Sequence, residues 1–136
     1  MSSVETLLKE IKSIFGKEII QASIEHNELT IEVKIDDLLP TLKTLKQHKA
    51  FQFVQLIDLC GVDYKDYADG AWSGSRFAVV SHLLSIKYNL RLRLRVFAPN
   101  DDYPLLASMT PIWNSANWFE REAFDLFGIL FEGHDD

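Results

Sequence analysis

Three acidic side chains and a histidine near the C-terminus are the residues best placed to do chemistry. Glu120, Glu122 and Asp125 lie close together, and His134 follows them. Carboxylates and imidazoles bind divalent metals and act as general acids or bases, which would suit a small metal-dependent hydrolase. On a helix, however, residues two apart diverge by about 200°, so Glu120 and Glu122 cannot chelate one ion together. The sequence predicts no catalytic residue and no metal ligand here.

The same segment suits a protein interface better. At helical spacing, an inward stripe is predicted from Ala116, Phe119, Ala123, Leu126 and Phe127. Large aromatic residues outside such a stripe are costly to leave in water and are favoured at interfaces. Arg121 and Asp125 have the spacing of an i,i+4 ion pair. The residues predicted to contact a partner are Trp118, Glu120, Arg121, Glu122, Phe124, Asp125 and His134.

A row of arginines marks a second candidate surface. Arg91, Arg93 and Arg95 alternate with apolar residues, so they share one face of a predicted strand. Three like charges on one face are unfavourable unless acidic side chains pair with them. Those acids lie either on neighbouring strands or on an acidic partner, since arginine is favoured at interfaces.

The remaining reactive residues have simpler interpretations. Asp58 and Asp63 flank the end of a buried segment and are expected to cap the following loop or to pair with an arginine. Cys60 is expected to be a small buried hydrophobic residue. His82 lies within an apolar strand and is expected to be a hydrogen-bonded core or sheet-face residue.

Composition excludes several classes of protein. The chain has 136 residues, 47% of them hydrophobic, which is enough for the core of one domain. The net charge of −6 argues against a nucleic-acid binder. A single cysteine excludes a disulfide framework and a cysteine-rich metal or iron–sulfur site. No apolar run approaches the roughly 18 residues of a membrane span.

Periodicity predicts the elements that must position these residues. A first helix is predicted at residues 3–15, and a second, capped by Asp36 or Asp37, ends near His48. Thr110 and Pro111 predict a short helical turn before the last helix. The predicted strands are residues 19–24, 29–35, 51–62, 76–87 and 90–97. The order α-β-β-α-β-β-β-α predicts a two-layer α+β fold, with an antiparallel or mixed sheet of about five strands and helices mainly on one face.

Residues 117–128, followed by the sequence Phe131-Glu132-Gly133-His134, also carry a resemblance. They resemble the signature of the 30 kDa subunit of respiratory complex I, which in bacteria is the C subunit of NADH-quinone oxidoreductase. The stretches 56–64 and 76–84 agree as well, although the family typically has threonine in place of Cys60 and tyrosine in place of Ser81. The resemblance covers roughly residues 51–134.

The resemblance implies a non-catalytic peripheral-arm subunit of the proton-pumping complex, without a cofactor of its own. NADH, FMN, iron–sulfur clusters and quinone would belong to the rest of the complex. The implied partners are the quinone-site D subunit and the iron–sulfur subunits. The implied location is the cytoplasmic side of the bacterial inner membrane, with membrane contact only through the complex. The close alternative is the equivalent module of a membrane-bound hydrogenase.

The chain end departs from the family pattern. Family members continue past the histidine with a proline and a basic, hydrophobic tail, whereas Asp135 and Asp136 are the last residues here. The expectation is a single α+β domain over residues 1–136 that lacks this tail.

Overall fold

The computed structural model describes residues 3–70 and 72–134, so the expectation about Asp135 and Asp136 lies outside the described residues. Its helices are α1 (Ser3–Phe15), α2 (Leu38–Gln47) and α3 (Ala116–Phe127). Its strands are β1 (Ile19–Glu25), β2 (Glu28–Val33), β3 (Gln55–Asp63), β4 (Phe77–Ser85), β5 (Leu90–Phe97), β6 (Leu105–Ala107) and β7 (Leu130–Glu132). In the part of the chain so described, no helix is both long and apolar enough to span a bilayer.

Five strands form one mixed sheet in the order β1-β2-β5-β4-β3. The pairing of β2 with β5 is parallel, and the other three pairings are antiparallel. The short strands β6 and β7 pair in parallel as a separate sheet. The predicted α+β class, element order and sheet of about five strands are confirmed; β6 and β7 were not predicted.

The core lies on one face of the five-stranded sheet, which confirms the predicted placement of the helices. All three helices contribute to this single core. The alternate strand residues facing it include Leu29, Ile31, Val33, Leu59, Val79, Leu83, Leu92, Leu94 and Val96. Each large apolar side chain buried in this way stabilises the fold by about 1.5–3 kcal/mol. The opposite face, here called the open face, carries Glu32, Asp58, Cys60, His82, Arg93 and Arg95.

Tight backbone turns set several element ends. His26 and Asn27 both have positive φ, 52° and 62°, as a two-residue hairpin turn requires. The strand predicted to start at Phe51 begins instead at Gln55. Gln52 has a φ of 49°, and the Phe53 N–H donates to the carbonyl of Leu45 at the end of α2. Phe51 and Phe53 are therefore buried from a loop rather than from a strand.

The two predicted helix starts have different outcomes. Asp37 precedes α2 but makes no side-chain capping hydrogen bond, because Ile35–Asp37 form a 3₁₀ turn leading into the helix. Thr110 and Pro111 lie in a single hydrogen-bonded turn, which agrees with the predicted short helical turn. There the N–H groups of Ile112 and Trp113 both donate to the carbonyl of Met109.

Gly61 lies at a tight contact between the sheet and the end of α3. A Cβ atom at this position would lie 2.7 Å from Phe127 Cδ2 and 2.9 Å from Ile129 Cδ1. The Ile129 side chain is fully buried, so it has little room to move. The hydrogen at Gly61 therefore permits the packing of the segment that carries the candidate site.

We predict that Gly61→Ala destabilises the fold by about 1–3 kcal/mol through overpacking. Urea unfolding followed by circular dichroism would measure the loss. Ser23→Ala, on the exposed face of the edge strand β1, is the control and should leave the unfolding midpoint nearly unchanged. An unchanged midpoint for Gly61→Ala would contradict the packing argument.

Candidate functional site

The signature segment is held in a β-α-β unit. Gly128 ends α3 in the left-handed conformation, with a φ of 72°, and its N–H donates to the carbonyl of Phe124 at 2.8 Å. The chain then returns along β7, which pairs in parallel with β6. This return brings the segment after β6 and the turn after β7 beside the same helix.

Glu120 is the buried centre of this unit, with no exposed surface. Its carboxylate accepts hydrogen bonds of 2.7 Å from the Ser108 hydroxyl and from the Met109 backbone N–H. Hydrogen bonds to a charged group contribute about 1.5–3 kcal/mol each, and an unpaired buried carboxylate would be strongly unfavourable. Glu120 therefore fastens α3 to the segment that follows β6.

Burial raises the pKa of the Glu120 carboxyl above its usual value. The hydrogen bonds from Met109 and Ser108, and the nearby His134, oppose this effect without cancelling it. The group is thus easier to protonate in the folded chain than in the unfolded chain.

His134 closes the unit from the other side. Its Nε2 atom lies 3.0 Å from the carbonyl oxygen of Asn117, and since a carbonyl can only accept, Nε2 must carry the proton. The same nitrogen is 3.9 Å from Glu120 Oε1. The side chain is only 9% exposed. His134 therefore fastens the turn after β7 to the first turn of α3.

Glu120 and His134 were predicted to contact a partner, and the structure instead directs both side chains inward. Leu126, predicted in the inward stripe, is 67% exposed, whereas Ala116 and Ala123 are buried as predicted. Relative to the prediction, α3 is rotated about its axis, so that the carboxylate of Glu120 points inward to its hydrogen-bond donors, Ser108 and Met109. The predicted divergence of Glu120 and Glu122 is confirmed, since Glu122 is exposed.

The outer surface of α3 consists of Trp118, Arg121, Glu122, Phe124, Asp125 and Leu126. Trp118 is 76% exposed and Phe124 is 47% exposed. The predicted ion pair is present, with Arg121 Nε and Asp125 Oδ2 at 3.8 Å. A groove of about 190 Å³ separates α3 from β7, and Arg121 and Phe124 line it. Aromatic, aliphatic and charged side chains thus lie together on a surface beside a groove.

One residue of the arginine row forms an ion pair within the sheet. Arg95 Nη2 lies 2.9 Å from Glu32 Oε1 on the adjacent strand, and Arg95 Nη1 lies 3.4 Å from the Tyr64 hydroxyl. Arg93 lies between Thr30 and His82 in register. Its buried Nε has no hydrogen-bond partner among the described residues. Arg91 is exposed. Only Arg95 thus has the predicted in-sheet acid among the residues that the structure describes.

The predictions for Asp58 and Asp63 have different outcomes. Asp63 forms a bidentate pair with Arg76, both distances being 2.8 Å, and it accepts from the Lys65 N–H, as predicted. The hydrogen bonds from Arg76 lower the pKa of the Asp63 carboxyl. Asp58 pairs with no arginine among the described residues and lies opposite His82 on the open face.

Comparison with known proteins agrees with the signature. Residues 31–136 match the family described as the respiratory-chain NADH dehydrogenase, 30 Kd subunit. The chain belongs to this family.

The C subunit of NADH-quinone oxidoreductase from Cupriavidus pinatubonensis is 55% identical over 136 residues, which are all of this chain and 68% of that protein. The C subunit of the same enzyme from Polynucleobacter necessarius is 57% identical over 130 residues, 96% of this chain and 65% of that protein. The chain thus spans about two thirds of the length of these relatives.

Two solved structures share the fold of this 30 kDa family member. A trypsin-resistant fragment of Nqo5 is 34% identical and superimposes with a TM-score of 0.79 over 97% of each chain. A chain of the archaeal membrane-bound sulfane sulfur reductase is 20% identical, with a TM-score of 0.78 over 98% of this chain and 73% of that one. The second likeness concerns the fold alone.

We predict that Glu120→Gln changes the pH dependence of stability in this 30 kDa family member. Because burial raises the folded-state pKa, the wild type gains stability from protonation of Glu120 in acid and loses it as the pH rises through the raised pKa. The glutamine side chain keeps the shape and cannot ionise. The stability of the wild type relative to the variant should therefore fall as the pH rises above the ordinary glutamate pKa of about 4.3.

Urea unfolding at a series of pH values would measure this difference. Ser23→Ala, on the exposed face of β1, is the control: it changes no ionisable group, so its difference from the wild type should be flat over the same range. A wild-type advantage over Glu120→Gln that grows with pH would overturn the interpretation.

Proposed function

We propose that this chain is a non-catalytic peripheral-arm subunit of a proton-pumping NADH:quinone oxidoreductase. The observation that carries the proposal is the 55% identity, over the whole chain, to a C subunit of NADH-quinone oxidoreductase. In this role the chain holds neighbouring subunits in position while electrons pass from NADH to quinone. It contributes contact surface, and the FMN, iron–sulfur clusters and quinone belong to other subunits.

The outer surface of α3 is the proposed contact surface. Leaving Trp118, Phe124 and Leu126 in water has a free-energy cost, which burial against a partner removes. Such aromatic residues form the energetic centres of protein interfaces. Arg121 and Asp125 lie within the same patch and give it orientation, since charged pairs improve specificity more than affinity.

The proposed partners are the quinone-site D subunit and the iron–sulfur subunits. Arg91 and Arg93 on the open face supply a second contact, with an acidic partner surface, because among the described residues they have no in-sheet carboxylate of the kind that Arg95 has in Glu32. Glu120 and His134 act indirectly, by fixing the helix that presents the outer surface. The proposed location is the cytoplasmic side of the bacterial inner membrane, with membrane contact only through the complex.

Residues 1–136 are proposed to fold as one domain. One core joins all three helices to the five-stranded sheet. The Nqo5 fragment of matching extent, described as trypsin-resistant, supports this proposal.

A related respiratory assembly, such as the equivalent module of a membrane-bound hydrogenase, is the second candidate. The shared fold of a sulfane sulfur reductase chain supports this second candidate, but at 20% identity the likeness concerns the architecture alone. The small metal-dependent hydrolase has less support, because Glu120 and His134 are buried together whereas Glu122 and Asp125 face outward.

We predict that the double variant Trp118→Ala, Arg121→Ala assembles poorly with the quinone-site subunit. Both side chains are more than half exposed, so the variant chain should fold like the wild type. The loss of a buried aromatic centre typically weakens an interface by about 2 kcal/mol or more, roughly a 30-fold loss of affinity. Co-purification of the quinone-site subunit with the tagged chain from its bacterial host would measure the effect.

Tyr103→Ala is the matched control, because this aromatic residue is 58% exposed and belongs to the loop before β6 rather than to α3. It should leave the recovery of the quinone-site subunit unchanged. Normal recovery of that subunit with the folded double variant would count heavily against the proposed contact surface.

A further inference from the structure

Three potential metal ligands, none of them part of the signature segment 117–134, meet on the open face. A carboxylate oxygen of Asp58, the thiol of Cys60 and a ring nitrogen of His82 all lie within 4.8 Å of one another. Within the described residues, none of these side chains forms a hydrogen bond or an ion pair. The cluster is thus a set of polar groups without a structural role that would account for their proximity.

Strand register produces the cluster. Asp58 and Cys60 are two residues apart on β3, so both face the same side of the sheet. His82 on β4 lies directly opposite Asp58. A register irregularity between Leu56 and Asp58 precedes the pair. Such bulges redirect side chains and are common beside functional sites at sheet edges, and β3 is an edge strand.

The donor set has a definite chemical preference. Thiolate and imidazole favour late first-row metals such as Zn²⁺ over Mg²⁺ or Ca²⁺, which take oxygen ligands. Tetrahedral Zn²⁺ with bonds of about 2.0–2.3 Å holds its ligand atoms about 3.5 Å apart. The ligand atoms lie within 4.8 Å of one another, so binding requires the side chains to move together by at most about 1.3 Å.

We propose that Asp58, Cys60 and His82 form a three-ligand site for a zinc-class divalent cation, with water in the fourth position. The cation ties the edge strand β3 to β4 across the open face and carries no electrons, since Zn²⁺ has no accessible redox change. This proposal departs from the sequence-based expectation of no metal ligand, and it does not rest on the proposed function.

The charges around the cluster favour a cation on balance. Burial raises the pKa of the Cys60 thiol, and the carboxylates of Asp58 and Glu122 raise it further. Glu122 projects from α3, which packs along β3. Arg93 is the opposing charge, since it lies next to His82 in register. Arg95 lies next to Val80, which is opposite Cys60, but it is already paired with Glu32. The carboxylates of Asp58 and Glu122 therefore outweigh Arg93, and the neutral Cys60 thiol releases its proton when it binds the cation.

Binding of Co²⁺, a spectroscopic substitute for Zn²⁺, would test the site in the untagged chain under reducing conditions. Thiolate coordination produces a charge-transfer absorption band in the near ultraviolet. Because Cys60 is the sole cysteine, that band reports on this residue alone. We expect the band to saturate at one cation per monomeric chain and to disappear on addition of Zn²⁺.

Variants assign the ligands. Cys60→Ser should remove the band, and His82→Gln should weaken Zn²⁺ binding at least about tenfold in competition with a chromophoric chelator. His26→Gln, on the exposed hairpin turn, is the matched control and should bind like the wild type. Far-ultraviolet circular dichroism would verify that each variant is folded.

The wild-type spectrum alone can overturn the proposal, even if every variant fails to fold. Absence of the band at saturating Co²⁺ would show that Cys60 does not bind the cation. One cation per two chains, with a dimer in gel filtration, would also overturn it, because the thiol would then bridge molecules. Unchanged Zn²⁺ affinity in folded His82→Gln would exclude the histidine and with it the site.

Discussion

The buried carboxylate of Glu120 is the interaction on which the presentation of α3 depends. A carboxylate without exposed surface must find donors, and it finds them in Ser108 and Met109, outside its own helix. This requirement fixes the rotation of α3 about its axis. The same rotation exposes Trp118 and Leu126, so an internal polar constraint determines which side chains are available to a partner.

Periodicity predicted the architecture well because most elements have a single buried side. The first helix was predicted at its observed bounds, and the alternation along β5 separated core residues from arginines as the structure does. The same reasoning misplaced Leu126, because it assumes that apolar residues turn inward, and it did not anticipate that Glu120 would be fully buried. Here two short hydrogen bonds to a carboxylate outweigh the burial of one leucine. The spacing of apolar residues along a helix gives no information about the relative free energies of these two interactions.

Contacts between segments that are distant along the chain also could not be predicted from the sequence. Asp58 and Cys60 could be placed on one strand face, but their meeting with His82 depends on the register of β3 against β4. The strands β6 and β7, three residues each, are too short for an alternation to be recognised. Gln52, in a left-handed conformation, ended a predicted strand without any glycine or asparagine to signal a turn.

The β-α-β unit at residues 105–132 also orders events during synthesis. Its parallel pairing can form only after β7 has left the ribosome, because the helix must cross over before β7 reaches β6. Until then His134 cannot hold the turn after β7 against the first turn of α3, although Glu120 can already accept hydrogen bonds from Ser108 and Met109. The five-stranded sheet, complete by Phe97, can fold earlier. Among the described elements, the outer surface of α3 is therefore completed after the five-stranded sheet.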